Sequence, residues 1–232
     1  ARVAVSERAR ALAQRSCGGE WRVIGNALDF ARISSAEPWP LAPGEGRPIL
    51  FVGRHEPRKG LGVLLDAFEG LGGGATLWVV GEGPQTAALR ARGVEGVQWL
   101  GRVGDAELRS RLRAAAVVCV PSLEGESFGV VLLEGMAAGA VVVASEIDGY
   151  REVARADVEA LLVAPGDPTA LRAALERGLT DEVLGRRLRE AGADRAASFS
   201  MRGQAEAYVE LYESVLAGRG RSTRMMTGEG RP

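Results

Sequence analysis

Short apolar runs bounded by glycine or proline recur through the middle of this chain, and stretches with apolar residues at helical spacing separate them. The runs Ile49–Val52, Thr76–Val80, Val97–Leu100, Val117–Val120, Ala140–Ala144 and Ala160–Val163 are almost continuously apolar, as parallel strands buried on both faces are. Between them the spacing predicts helices over Leu61–Leu71, Thr86–Arg92, Asp105–Ala115, Phe128–Ala138 and Tyr150–Ala154. Regular alternation of strand and helix predicts an α/β fold, a doubly wound Rossmann-like parallel sheet with helices on both faces. Trp78 and Trp99 fall in predicted strands and are assigned to the core.

The flanks read differently. Residues 1–39 predict one helix, Ser6–Gln14 with Ser6 as its N-cap, and one strand, Trp21–Ile24. The Pro- and Gly-spaced stretch from Pro38 to Pro48 has the composition of a linker. A sheet of this kind rarely begins with one orphan helix and strand, so residues 1–39 are expected to be the remnant of a preceding domain plus linker, and residues 40–199 the sheet domain. Helices over Pro168–Arg177, Asp181–Gly192 and Ser200–Leu216 follow. The tail 218–232, with arginines among Gly, Ser and Thr, is expected to be disordered.

Charge narrows the partners. Lys and Arg number 29 against 30 acidic residues, a net charge of −1, so no global field favours nucleic acid and any anion site must be local. Two cysteines make no disulfide framework, and Cys119 inside Val117–Val120 reads as a buried small hydrophobe. A cytosolic setting is the default. No apolar run approaches the roughly 20 residues of a spanning helix.

Two segments could carry chemistry. After the first strand of the sheet, where a dinucleotide-binding domain would place Gly-x-Gly-x-x-Gly, stands Gly53-Arg54-His55-Glu56-Pro57-Arg58-Lys59-Gly60. Three cations at the carboxyl end of a parallel strand suit a diphosphate, although a solvated basic loop would have the same sequence. The second segment, Pro121 to Gly129, opens into the helix that starts near Val130, and free N–H groups there favour an anion. That helix is apolar almost all round and is expected to lie buried under the edge of the sheet. Glu134 stands inside it, either paired with a core arginine or accepting hydrogen bonds from ligand hydroxyls. Glu126 precedes it by eight residues, roughly 12 Å along the helix axis. His55, the sole histidine, makes no metal site by itself and is assigned to orienting its loop. Gly81-Glu82-Gly83-Pro84 reads as a tight strand-to-helix turn.

Four motifs in order carry a family resemblance. Glu126-(x)7-Glu134 lies within Gly-Glu-Ser-Phe-Gly and Glu-Gly-Met-Ala-Ala-Gly. It is accompanied by Val-Gly-Arg…Arg-Lys-Gly-(x)3-Leu-Leu-(x)2-Phe over residues 52–68, Val79-Val80-Gly81-Glu82-Gly83-Pro84, and Leu100-Gly101-Arg102-Val103. Together they resemble the retaining GT-B glycosyltransferases of the Glu-x7-Glu type, over roughly residues 1–217. Glu56-Pro57-Arg58-Lys59-Gly60 and Ala144-Ser145-Glu146-Ile147-Asp148-Gly149-Tyr150-Arg151 are most similar to the phosphatidylinositol mannosyltransferases. Leu108, where a polar or basic residue is usual, and Ala27, where glycine is common, depart from that subgroup.

The resemblance implies that this is the donor-binding C-terminal half of such an enzyme. It implies transfer of mannose from GDP-mannose to an inositol phospholipid, or, as the alternative, another NDP-sugar and acceptor in the same family, or a donor-binding module inactive on its own. By position it implies a donor diphosphate clamp of Arg54 and Lys59, with Gly53 and Arg58 beside them. Glu126 would bind the sugar hydroxyls and Glu134 the ribose, backbone N–H groups at Phe128, Gly129 and Val130 would meet the phosphates, and Val103 and Asp105 would face the base. Glu126, Arg54 and Lys59 are the residues it implies for catalysis. No cofactor is implied beyond the nucleotide sugar, and a metal ion is not required. Residues 200–217 are expected to return toward the N-terminal domain, which would hold the acceptor pocket. The full-length protein is expected to be cytoplasmic and peripheral at the inner face of the membrane.

Overall fold

A computed structural model of the chain describes residues 1–72 and 74–226. It opens on strand β1 (Val3–Ala4), helix α1 (Glu7–Cys17), strand β2 (Arg22–Val23), which pairs parallel with β1, and helix α2 (Phe30–Ser34). The Ser6 hydroxyl accepts from the Ala9 N–H at 3.0 Å and so caps α1. The sequence pattern does not predict α2, because five residues hold too little of a 3.6-residue period; an Asp29 cap and the burial of Ile33 hold it. This opening segment is docked. The Glu152 carboxylate accepts from the N–H groups of Glu7 and Arg8, both at 2.8 Å, and the Leu28 N–H donates to the Phe199 carbonyl at 3.0 Å.

Strands β3 (Arg47–Val52), β4 (Ala75–Val80), β5 (Val97–Gly101), β6 (Val117–Val120), β7 (Val141–Ser145) and β8 (Leu161–Val163) form one parallel sheet, ordered β5-β4-β3-β6-β7-β8. Each matches a predicted run to within two residues. The chain lays β3, β4 and β5 toward one edge, crosses back, and lays β6, β7 and β8 toward the other. Neighbours β3 and β6 therefore mark the point where the winding reverses, the place where open α/β sheets bind ligands outside the carboxyl ends of their strands.

Alternate strand residues enter two cores. Leu50, Trp78, Val118, Val120, Val142 and Ala144 face α6 (Val130–Ala137) and α5 (Asp105–Ala114). Ile49, Phe51, Leu77, Val117, Val141 and Val143 face α3 (Leu61–Glu69) and α8 (Pro168–Thr180), with α4 (Thr86–Arg90) at the β4 end. Both faces being covered explains why the strands read as unbroken apolar runs. Helix α6 is buried, but not under the sheet's edge: it follows β6 near the centre and packs against β6, β7 and α9 (Glu182–Ala197). Trp78 is fully buried, and Trp99, on the edge strand β5, is partly buried and packs against the second core. Cys119 is buried as expected.

Two further expectations change. The helix placed at Tyr150–Ala154 is α7 (Asp148–Arg151), which starts earlier because Ile147 is still extended. The last helix, α10, spans Met201–Met226 and so continues past Ala217 into the expected tail, as an arginine-rich stretch can despite Gly218 and Gly220; residues 227–232 of that tail lie outside the described residues. The linker from Pro38 to Pro48 is strapped to the sheet domain. The Arg111 guanidinium lies 4.1 Å from the Trp39 ring centre and 4.9 Å from that of Trp78, and Glu45 accepts from Trp78 Nε1 at 3.0 Å. Among the described residues no helix is long and apolar enough to cross a membrane.

Candidate functional site

The cation loop leaves β3 at Gly53 and runs through Arg54, His55 and Glu56 into a 3-10 turn at Pro57–Lys59, after which Gly60 at φ 71° opens α3. The Arg58 carbonyl accepts from the Leu123 N–H at 2.7 Å, tying this loop to the one that leaves β6. Across that seam Lys59 Nζ donates to Glu126 Oε1 at 2.6 Å and Arg58 Nη1 donates to the same oxygen at 2.8 Å. Arg58 also pairs with Glu56 at 2.7 Å. Residues 67 positions apart thus meet at the reversal between β3 and β6. The Glu126 carboxylate is mostly buried, with 16% of its side chain exposed, and Lys59 has 20%.

The support beneath Glu126 is not visible in the sequence motifs. Ser122 Oγ lies 3.4 Å from Glu126 Oε1, and the buried Tyr150 hydroxyl donates to Ser122 at 2.8 Å. Burial pushes the Tyr150 phenol well above its usual range, so it stays a neutral donor. Gly149, at the start of α7, lies so close to the Glu126 carbonyl that a side chain there would overlap it. The signal that could have found these residues is the family-like run Asp148-Gly149-Tyr150, but only the fold shows what they touch.

Arg54 takes a separate position. It is exposed, makes no ion pair or side-chain hydrogen bond among the described residues, and lines a cavity of about 750 Å³ with Gly53, Gly81, Glu82, Gly83, Arg102 and Val103. Gly81 at φ 115° would overlap the Gly53 carbonyl with any side chain, and a Cβ on Gly83 would stand 2.5 Å from the His55 carbonyl oxygen. The Gly81–Pro84 turn is therefore glycine-rich because it abuts the cation loop. His55 is buried there, its Nδ1 2.8 Å from Thr86 Oγ1, with its ring against Phe51 and Trp99. Burial lowers its pKa, so the neutral imidazole braces the loop from inside.

Helix α6 begins at Val130, after Gly129 at φ 122°, with no side-chain cap, so its first N–H groups have no capping side chain. Phe128 is buried against Phe199 with ring centres 5.6 Å apart. Because the helix starts at Val130, Glu126 lies in the loop, and the eight residues to Glu134 do not run along one helical axis. Glu134 lines a second cavity of about 260 Å³ with Asp105, Leu108, Arg109, Val130, Asp29 and Arg32. Val103 and Asp105 therefore open into different cavities. Glu134 is half-buried and has no hydrogen-bonding or ion-pair partner among the described residues, which removes the core-arginine alternative.

Burial raises the Glu134 pKa above the ordinary 4.5, and the negative charge of Asp105 adds to the shift. The folded state then holds its proton to higher pH than the unfolded chain. This contribution is present below the unfolded value and lost as pH rises through the folded one. Glu134→Gln is accordingly expected to be more stable than the parent at pH 7 and equal to it near pH ~4. Urea unfolding at the two pH values checks this; a variant less stable at pH 7 would show that the carboxylate is paired.

A sequence model of the family described as Glycosyl transferases group 1 matches residues 46–181, which takes in the sheet, the larger cavity and α6. The chain belongs to this family. A phosphatidyl-myo-inositol mannosyltransferase of Mycobacterium leprae is 39% identical over 220 residues, covering 92% of this chain and 59% of the relative. The chain thus spans about 60% of the length of the mycobacterial relatives it matches. Among solved structures, Anabaena HepE in complex with UDP and glucose superposes with a TM-score of 0.82 at 21% identity, over 91% of this chain and 62% of that one. A sucrose-phosphate synthase from Thermosynechococcus elongatus superposes with a TM-score of 0.79 at 27% identity, over 93% and 58%.

Within this group 1 glycosyltransferase chain the fold brings Arg58, Lys59 and Glu126 together, sets Gly53 beside the Lys59 stem, and keeps Arg54 and Val103 in one cavity and Glu134, Asp105 and Val130 in another. Arg102 and Glu82, which pair at 3.4 Å on the rim of the larger cavity, stand in motifs read from the sequence but were given no site role there.

Proposed function

We propose that this chain binds a nucleoside diphosphate sugar in the crevice between β3 and β6 and serves as the donor half of a retaining glycosyltransferase. The observation that carries the reading is the meeting of Arg58 and Lys59 with Glu126 at the reversal of the winding, in a chain of the group 1 glycosyltransferases. The phosphates lie between Arg54, Lys59 and the uncapped start of α6, near the N–H groups of Phe128, Gly129 and Val130. The base occupies the cavity of Gly53 and Val103, the ribose hydroxyls reach Glu134 beside Asp105, and the sugar hydroxyls reach Glu126. As the bond from sugar to diphosphate breaks, negative charge grows on the leaving phosphate, and preorganised cations and N–H dipoles stabilise it with little reorganisation. Glu126 binds hydroxyls in this reading through the oxygen that Lys59 and Arg58 leave free, and it is not assigned as a nucleophile.

The donor we favour is GDP-mannose and the acceptor an inositol phospholipid, on the strength of the mycobacterial relatives. The acceptor would be met at a membrane surface by parts of the full-length protein outside the sheet domain, residues 1–39 and 200–217 forming the crossover and return to them. The second reading, a UDP-sugar, draws on the UDP complex of the Anabaena protein and on Leu108, where the sequence departs from the mannosyltransferase subgroup. Calorimetry with GDP, GDP-mannose and UDP tests this. We expect binding of GDP and GDP-mannose at sub-millimolar concentration and weaker binding of UDP. A folded chain that takes up none of them at millimolar concentration would overturn the donor reading; a preference for UDP would select the second.

A further inference from the structure

We propose that Glu126 acts as an internal anion that sets the preference of the site for a sugar-bearing nucleotide over the free nucleoside diphosphate left after transfer. The proposal rests on the donor reading above. One oxygen of Glu126 takes Lys59 at 2.6 Å, Arg58 at 2.8 Å and the Ser122 hydroxyl at 3.4 Å. The chain's own carboxylate therefore pairs with two cations of the loop in which a diphosphate would bind and offsets part of their charge. Residues 124–126 also line a pocket of about 210 Å³ whose other walls are Glu146, Asp148, Gly149 and Arg8. The phosphate end of the ligand and this acidic pocket meet at Glu126.

The consequence differs for the two ligands. A nucleoside diphosphate ends in a phosphate with a second ionisation near pH ~6, so at neutral pH it brings extra negative charge toward Glu126. Esterification by a sugar removes that ionisation and interposes hydroxyls, which donate to a carboxylate instead of repelling it. The cations attract both ligands; the carboxylate opposes the free diphosphate and favours the esterified one. At 16% exposure its charge is poorly screened, which makes the opposition effective. The carboxylate is held in place by the chain Tyr150–Ser122–Glu126 from one side and by Lys59 from the other, so it cannot swing away at little cost.

The test is titration of GDP and GDP-mannose into the parent chain, Glu126→Gln and Glu126→Asp, with circular dichroism to verify the fold. Glu126→Gln keeps the shape and removes the charge; Glu126→Asp keeps the charge but withdraws it from Lys59. We expect Glu126→Gln to bind GDP about fivefold more tightly or better, and to bind GDP-mannose no more tightly, so that the ratio of the two affinities moves toward the product. Glu126→Asp should shift the ratio the same way by a smaller factor. If the parent binds GDP but neither variant moves the ratio, the internal-anion role is overturned and the donor reading stands. If the parent binds neither ligand, the donor reading falls, and this inference falls with it.

Discussion

Gly60→Ala is expected to destabilise the chain by about 3 kcal/mol and to lose most nucleotide binding with it. Gly60 adopts φ 71°, the left-handed region that a residue with a Cβ enters only at a cost. A Cβ there would also overlap the Pro121 carbonyl oxygen and stand 2.8 Å from its carbon, which is backbone and cannot rotate aside. Relief requires the cation loop to separate from the end of β6. That separation would break the hydrogen bond from the Leu123 N–H to the Arg58 carbonyl and draw Lys59 away from Glu126. Gly62, two residues on and inside α3, is the control. A Cβ on Gly62 would meet Leu89 at an ordinary 3.8 Å, and alanine there should stabilise the helix by about 0.5–1 kcal/mol. Urea unfolding of both variants checks the contrast. Equal stabilities for the two would mean that the close approach at Pro121 is relieved without cost.

Among substitutions that leave the fold intact, Arg54→Ala carries the largest expected effect on binding. The side chain is exposed, has no partner among the described residues, and borders the 750 Å³ cavity, so its removal should change stability by no more than about 0.5 kcal/mol. If it meets a phosphate, losing a charge-assisted contact should weaken nucleotide binding by roughly 2 kcal/mol, about 30-fold. Lys59→Ala should behave otherwise. It removes a phosphate partner and also leaves Glu126, already mostly buried, with Arg58 alone, so affinity and stability should fall together. Calorimetry and urea unfolding on the two variants separate these roles. Undiminished affinity in Arg54→Ala would take that residue out of the clamp.

The sequence by itself determined the strands, most of the helices and the place of the chemistry along the chain. It could do so because strands covered on both faces must be apolar throughout, and a chain that turns every few residues must spend Gly and Pro at the turns. The motifs at 53–60 and 121–134 were legible for the same local reason: their residue types suit phosphates and hydroxyls wherever they stand. Strand order is not written in that periodicity. It is the order β5-β4-β3-β6-β7-β8 that makes β3 and β6 neighbours and so presses Lys59 and Arg58 onto Glu126 while leaving Arg54 in a different cavity. The same holds for Glu134, whose partnerless carboxylate facing Asp105 could be seen only once α6 was packed beside α5, and for the linker, which composition describes as loose and Arg111 clamps through Trp39. Each of these pairings joins residues far apart in sequence, and it is the burial of both faces of one continuous sheet that brings them within reach.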